Sequence, residues 1–246
     1  MSLRFDTSTP LGNIVASNYR AAGVLDRFGL DFCCGGKRTF GEACAAARLD
    51  PGTVAAELAK LSAASGTEDV PDASWPVEEL AHYIVRRHHE YVRQQLPVIV
   101  GHLEKLVAVH GERHPELRQI AGHFAELSGE LQRHMMKEEQ ILFPYVQQLA
   151  ASAEFGSEPP IGMFGSVSNP IRMMEAEHRH AGDELAAIRG LSANYSVPAD
   201  GCTTYRVCYE ELAAFDADLR QHIHLENNIL FPRAVALEHA VNEWQP

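Results

Sequence analysis

Apolar residues recur in steps of three and four along four stretches of the chain, the period of a helix with one face on a core. The first stretch runs from about Val77 to Leu96, with Leu80, Ile84, His88, Tyr91 and Gln95 on one stripe. Pro97 is expected to kink or end it, with helix continuing towards His110. The second starts near Pro115 and carries Leu117, Ile120, Phe124, Leu127, Leu131, His134, Glu138 and Leu142. The third starts at Asn169-Pro170, read as a cap followed by proline, and carries Ile171, Met174, His178, Ala181, Leu185 and Ile188. The fourth starts near Thr203 and carries Cys208, Leu212, Phe215, Leu219, His222, Glu226 and Ile229. No stretch alternates with period two for long enough to suggest a sheet. The expected class is all-α, with a four-helix bundle over residues 77–240.

Residues 1–61 read as a small helical domain of their own. Asp50-Pro51 has the form of an N-cap with proline at the first helical position, and Thr53 to Leu61 has helical composition. Residues 62–76, rich in Ser, Ala, Asp and Pro, read as a linker. The break from Glu154 to Ser168 divides the four patterns into two pairs that resemble each other. His134-Met-Met-Lys-Glu138-Glu-Gln-Ile-Leu-Phe-Pro144 and His222-Ile-His-Leu-Glu226-Asn-Asn-Ile-Leu-Phe-Pro232 share H-x-x-x-E-x-x-I-L-F-P, 88 residues apart. The first helix of each pair contributes one histidine at a matching place, His88 and His178, 90 residues apart. Duplication of a two-helix unit accounts for this and predicts a pseudo-twofold axis.

Each stripe carries one histidine, and two carry a glutamate four residues later, one turn along the same face. A lone histidine on an apolar face is most often a satisfied core residue. An ionised glutamate in a core, however, costs several kcal/mol unless compensated. A pair of solvent-facing Glu–His contacts would not explain the apolar residues on either side. The pattern therefore points to a metal site at His88, His134, Glu138, His178, His222 and Glu226. Imidazole with carboxylate suits iron, zinc or manganese. Four imidazole bonds and two bridging carboxylates give four bonds to each of two ions. An oxo or hydroxo bridge makes five and leaves a position for a small ligand, an arrangement iron accepts and a closed structural zinc site does not need.

Composition narrows the class. Lys plus Arg is 21 against 33 Asp plus Glu, a formal net charge of −12, which argues against nucleic-acid and anionic-membrane binding. No apolar run reaches a membrane span and no signal peptide is evident, so a cytoplasmic protein is expected. Five cysteines, Cys33, Cys34, Cys44, Cys202 and Cys208, do not form a disulfide framework by count.

The order of the motif separates two kinds of bundle. Ferritin-like di-iron proteins place glutamate first, as E-x-x-H. Here histidine comes first, which resembles the haemerythrin arrangement, although Gly182 stands where oxygen-carrying haemerythrins have a further histidine. Together with Asp31-Phe-Cys33-Cys34-Gly35-Gly36-Lys37, the motifs resemble the iron–sulfur cluster repair di-iron proteins, the RIC family, over nearly the whole chain. The resemblance implies a haemerythrin-like bundle, the same six ligands and two non-haem irons. It also implies repair of iron–sulfur clusters after oxidative or nitrosative damage, by iron donation or by nitric oxide binding or reduction. Partners would be damaged iron–sulfur proteins or a cluster assembly scaffold, and diatomic ligands such as nitric oxide and oxygen. Enzymatic nitric oxide reduction, a non-catalytic oxygen or nitric oxide sensor, an iron store and a homodimer stay open as readings.

Three further residues carry chemistry. Glu177, beside His178, is read as tuning that ligand or shuttling protons, against an ordinary surface role. Adjacent Cys33 and Cys34 are a poor disulfide pair. They are read as thiols carried to the bundle or to a client, with Lys37 and Arg38 favouring thiolate, or else as packing beside the Gly35-Gly36 turn. His89, His180 and His224 are read as mostly solvated, and Met135 and Met136 as packing.

Overall fold

The computed structural model describes residues 6–61, 71, 72, 74–158 and 160–243. Most of the expected 62–76 linker lies outside them. Four short helices make the small domain: α1 (Leu11–Ser17), α2 (Ala21–Arg27), α3 (Phe40–Ala46) and α4 (Pro51–Ala59). Thr39 and Glu42 close a reciprocal capping box on α3. Asp50 caps α4 through the Gly52 and Thr53 amides, with Pro51 in the first turn as expected.

Four long rods follow. The first joins α5 (Val77–Ile84) to α6 (Glu90–His110) through a π-helical turn at Val85–His89. The second joins α7 (Glu116–Lys137) to α8 (Phe143–Phe155) through a π turn at Glu138–Leu142. The third is α9 (Ser168–Leu191), unbroken. The fourth joins α10 (Thr203–Leu225) to α11 (Phe231–Glu243) through a π turn at Glu226–Leu230. Helix α6 packs on α7 and α10, and α9 on α7 and α10, so the rods close into a four-helix ring. No strand occurs among the described residues.

Helix continues past Pro97, which lies exposed inside α6, to His110 as expected. One local expectation changes. Asn169 is not the cap of α9, which begins one residue earlier. Its amide instead donates to the Phe164 carbonyl, while the Val167 amide donates to Glu238. At the end of α8, Gly156 takes the left-handed conformation (φ 61°) that closes a helix without a Cβ clash.

The π turns in the second and fourth rods have a cause in the repeat. Pro144 and Pro232 cannot donate to the carbonyl four residues back and would collide with it, so the turn before each widens. Glu138 and Glu226 open those turns.

The core divides into two apolar clusters. One holds Leu96, Phe124, Leu185, Phe215 and Leu219, continuous with Ile14, Leu25 and Phe40 of the small domain. The other holds Leu80, Ile84, Val146, Ile171 and Leu230. Each rod passes from one cluster to the other across a level of buried His and Glu.

Candidate metal centre

At that level two carboxylates face four imidazoles. Glu138 and Glu226 are both 0% exposed. Glu138 turns Oε1 towards His134 Nε2 at 3.2 Å and Oε2 towards His89 Nε2 at 3.4 Å. Glu226 turns Oε1 towards His222 Nε2 at 2.9 Å and Oε2 towards His178 Nε2 at 3.1 Å. The rings meet in pairs: His89 Nε2 lies 3.1 Å from His222 Nε2, and His178 Nε2 lies 2.9 Å from His134 Nε2. Two tight groups result: His89, Glu138, His222 and Glu226, and His134, Glu138, His178 and Glu226. Each carboxylate gives one oxygen to each group, the disposition of a bridge.

Five of the six expected residues converge here; His88 does not. Its ring is turned to Asp218, with Nδ1 3.1 Å from Oδ2, and His89 takes the place expected for it. The reason is the π turn at Val85–His89. One extra residue in the turn rotates the rest of the helix by roughly 100°. The buried stripe accordingly slips from Leu80 and Ile84 to His89, Val92, Leu96 and Ile99, leaving Tyr91 and Gln95 half-buried. His89 is 0% exposed, so the expectation that it is solvated fails as well. Among the described residues α9 has no π turn, and His89 and His178 lie 89 residues apart, closer to the period of the repeat.

The charges are arranged to accept a cation. Burial and the Glu226 charge push the Glu138 carboxyl up, but the His134 and His89 rings outweigh both and hold it at about 2. Burial likewise opposes ionisation of Glu226, and His222 and His178 hold it well below the usual carboxylate range. His134 is pulled down by burial but lifted to about 10 by Glu138 and Glu177. Both oxygens of Glu138 and Oε2 of Glu226 are buried without a hydrogen-bond partner. These oxygens face imidazole nitrogens but lack a hydrogen bond, and buried polar atoms left so are costly. Four convergent imidazole nitrogens and paired carboxylate oxygens fit metal binding, with the oxygen and nitrogen donors that suit iron.

Neighbours orient the rings, as they do around metal-ligating histidines. His89 Nδ1 meets Glu139 Oε1 at 2.6 Å, His134 Nδ1 meets Glu177 Oε2 at 2.8 Å, and His178 Nδ1 meets Asn227 Oδ1 at 2.8 Å. Glu139 and Asn227 each follow a central glutamate, so the repeat explains their equivalent places. Glu177 therefore sits on His134, not on its sequence neighbour His178; its second oxygen pairs with Lys137. The phenylalanines of the shared motif stack on rings: Phe143 on His89 at 5.8 Å and Phe231 on His178 at 5.9 Å. His224 is buried rather than solvated, and burial pushes its ring down to about 4. His180 is half-buried, its Nε2 3.2 Å from Glu130. Met135 packs in the core, whereas Met136 is half exposed.

The small domain is docked on this level. Cys34 Sγ lies 3.4 Å from the His178 carbonyl oxygen, and a Cβ at Gly182 would be 3.5 Å from that sulfur. The thiol thus sits at ordinary contact distance from position 182. Cys33 and Cys34 are free thiols with sulfurs 4.0 Å apart. The thiolate expectation for Cys33 is reversed: the hydrogen bond with Cys34, burial and the Asp31 charge push its thiol well above the usual range. Lys37 is turned away to Glu175 at 2.8 Å. A cavity of about 470 Å³ opens beside the thiols, lined by Asp31, Arg179, Gly182 and Arg189 among others.

Both parts of the chain are similar to known proteins. A haemerythrin HHE cation-binding domain matches residues 80–234, and a domain of unknown function, DUF542, matches residues 7–62. The iron–sulfur cluster repair protein YtfE of Musicola paradisiaca is 38% identical over 228 residues, covering 92% of this chain and 95% of its own. YtfE of Escherichia coli O81 is 38% identical over 229 residues, covering 93% and 97%.

Proposed function

The chain belongs to the haemerythrin HHE cation-binding family, in the branch of the iron–sulfur cluster repair proteins, and from that premise we propose that it repairs damaged clusters with a di-iron centre in its bundle. The single observation that carries the reading is the bridging disposition: two fully buried carboxylates, each with one oxygen in each of two His-lined groups. The ligands are His89, His134, Glu138, His178, His222 and Glu226. Iron held there would supply a Lewis-acidic, redox-active metal able to bind nitric oxide or oxygen, and ferrous iron as cargo for a damaged cluster. Clients are iron–sulfur proteins that have lost iron, or the scaffold on which clusters form.

This chain's own residues set the conditions. Glu139 and Glu177 accept from Nδ1 of His89 and His134 and so keep the Nε2 lone pairs on the centre. Phe143 and Phe231 wall off two of the rings from water. The Cys33–Cys34 loop covers the His178 side.

The test uses full-length protein loaded with ferrous iron without oxygen. Metal analysis should give two irons per chain. Incubation with a dehydratase whose [4Fe–4S] cluster has been oxidatively damaged should restore its activity as iron leaves the protein. One zinc and no iron, or no restoration from fully loaded protein, would overturn the reading. Nitrous oxide formed in a single turnover with nitric oxide would assign reductase activity to the same centre.

A further inference from the structure

The two halves of the centre are not held alike from outside. In the repeat, Glu139 and Asn227 stand at the same place, but one is a carboxylate and the other a carboxamide. A carboxylate can only accept. A carboxamide accepts at one end and donates at the other, so something must decide which end faces the ring. At Asn227, Oδ1 faces His178 Nδ1 at 2.8 Å, while Nδ2 donates to the Cys33 carbonyl at 3.4 Å. Cys33 belongs to the small domain; His178 belongs to the bundle.

The next residue fastens the same junction. Asn228 Nδ2 donates to the carbonyls of Phe32 and Cys33, at 3.2 Å each. Its side chain is seated against two glycines: a Cβ on Gly36 would lie 2.2 Å from Asn228 Oδ1, and one on Gly12 2.5 Å away. The small domain is therefore clamped onto the two residues that follow the central Glu226. Among the described residues, no such clamp reaches Glu138 and Glu139: the partners of Glu139 are His89 and Arg93, both from the bundle.

We propose that Asn227 is a positioning residue through which the docked Cys33–Cys34 loop controls retention of one metal ion, the one held by His134 and His178, and not of the other. This rests on the two-ion reading of the centre. With the loop docked, the Cys33 carbonyl occupies Nδ2 and leaves Oδ1 for the His178 Nδ1–H. That hydrogen bond fixes the ring with Nε2 on the ion. With the loop away, the amide is free to turn Nδ2 towards the ring, where it meets an N–H and cannot bond. His178 then loses its orientation. Loss of such a partner typically weakens metal binding about 10- to 100-fold. The consequence is a protein that releases one ion when its small domain lifts and keeps the second.

The experiment follows transfer of ferrous iron from the full-length loaded protein to a coloured chelator. In Gly36→Ala the new methyl group strikes Asn228 and the Phe32 carbonyl and disturbs the clamp without touching a ligand. One of the two iron equivalents should leave about 10-fold faster or more than in wild type, and the second at the wild-type rate. Adding Asn227→Asp to Gly36→Ala should restore slow release, since either carboxylate oxygen accepts from His178 whatever the loop does. Should Gly36→Ala fail to fold, Asn228→Ala removes the same clamp without adding an atom and should give the same split. Equal release rates in wild type and clamp variants, or equal acceleration of both equivalents, would overturn the proposal while leaving the two-ion centre intact. Fewer than two irons in wild type would instead count against the centre itself.

Discussion

Glu177 Oε2 accepts from His134 Nδ1 at 2.8 Å, across the α7–α9 contact, although His178 is its neighbour in sequence. His134 is buried and Glu177 half-exposed, so the carboxylate reaches inward to its partner. The hydrogen bond from His134, joined by Lys137, holds the Glu177 carboxyl at about 2 against partial burial. It therefore stays charged throughout the physiological range.

This gives a first prediction. Glu177→Ala should weaken iron binding in the His134 half by about 10- to 100-fold, the usual cost of losing a partner to a ligating imidazole. Glu177→Gln, which still offers an accepting oxygen, should lose less. Chelator competition at fixed pH measures both; equal affinities in all three proteins would show that Glu177 is surface charge and nothing more.

A second prediction separates two adjacent histidines. His89→Ala should reduce the iron content from two to one or fewer, since it strips the His89/His222 half of a ring nitrogen. His88→Gln should keep both irons, because His88 is directed at Asp218. The reverse pattern in metal analysis would return His88 to the ligand set.

Most of the centre was legible because the repeat and the three-and-four spacing survive unbroken through α7, α9 and α10. His134, Glu138, His178, His222 and Glu226 fall where that period puts them. His88 was misplaced because a π turn adds a residue that periodicity read as regular helix cannot register. The signal that could have corrected it was the repeat length, since His89 fits the 88-residue period better than His88 does. Asn227 and Glu139 were legible only as the residues after each glutamate; their roles come from the rings that pack against them. That the Cys33–Cys34 loop meets the bundle was one of the readings of the sequence, but its place beside Gly182 was not legible, being a contact between segments far apart in sequence. Fold class was the easiest part, because nothing competes with a helical period sustained over some twenty residues.

A third prediction concerns the bridges. Glu138 puts one oxygen in each half, so Glu138→Ala should lower the affinity for both irons rather than one. It also leaves His89 and His134 without their buried counter-charge. His178→Ala removes a nitrogen from one half alone and should spare the second iron. Titration with ferrous iron reads the difference as a loss of both steps against a loss of one. A normal first step in Glu138→Ala would argue that its carboxylate serves a single ion.

The last prediction lies at the opposite end of α10. Cys202 is exposed at the N-cap of that helix, and its sulfur lies 3.3 Å from Nε2 of the buried His110. The hydrogen bond from His110, with the Tyr205 and Thr204 amides, lowers the thiol from its usual 9 to about 7. Thiolate is the reactive form, so alkylation should follow its fraction. The sign is set by the lowered value: reactivity with iodoacetamide should already be half-maximal near pH 7 and should fall as the pH drops below that. In His110→Ala the midpoint should move up towards 9, because the main cause of the shift is gone. Cys208 offers the internal contrast. Burial pushes its thiol to about 12, so it should stay unlabelled in the folded protein at every pH below that. Peptide mass spectrometry after timed labelling resolves the two sites. A Cys202 midpoint near 9 in the wild type, or one unmoved by His110→Ala, would show that the imidazole does not act on the sulfur.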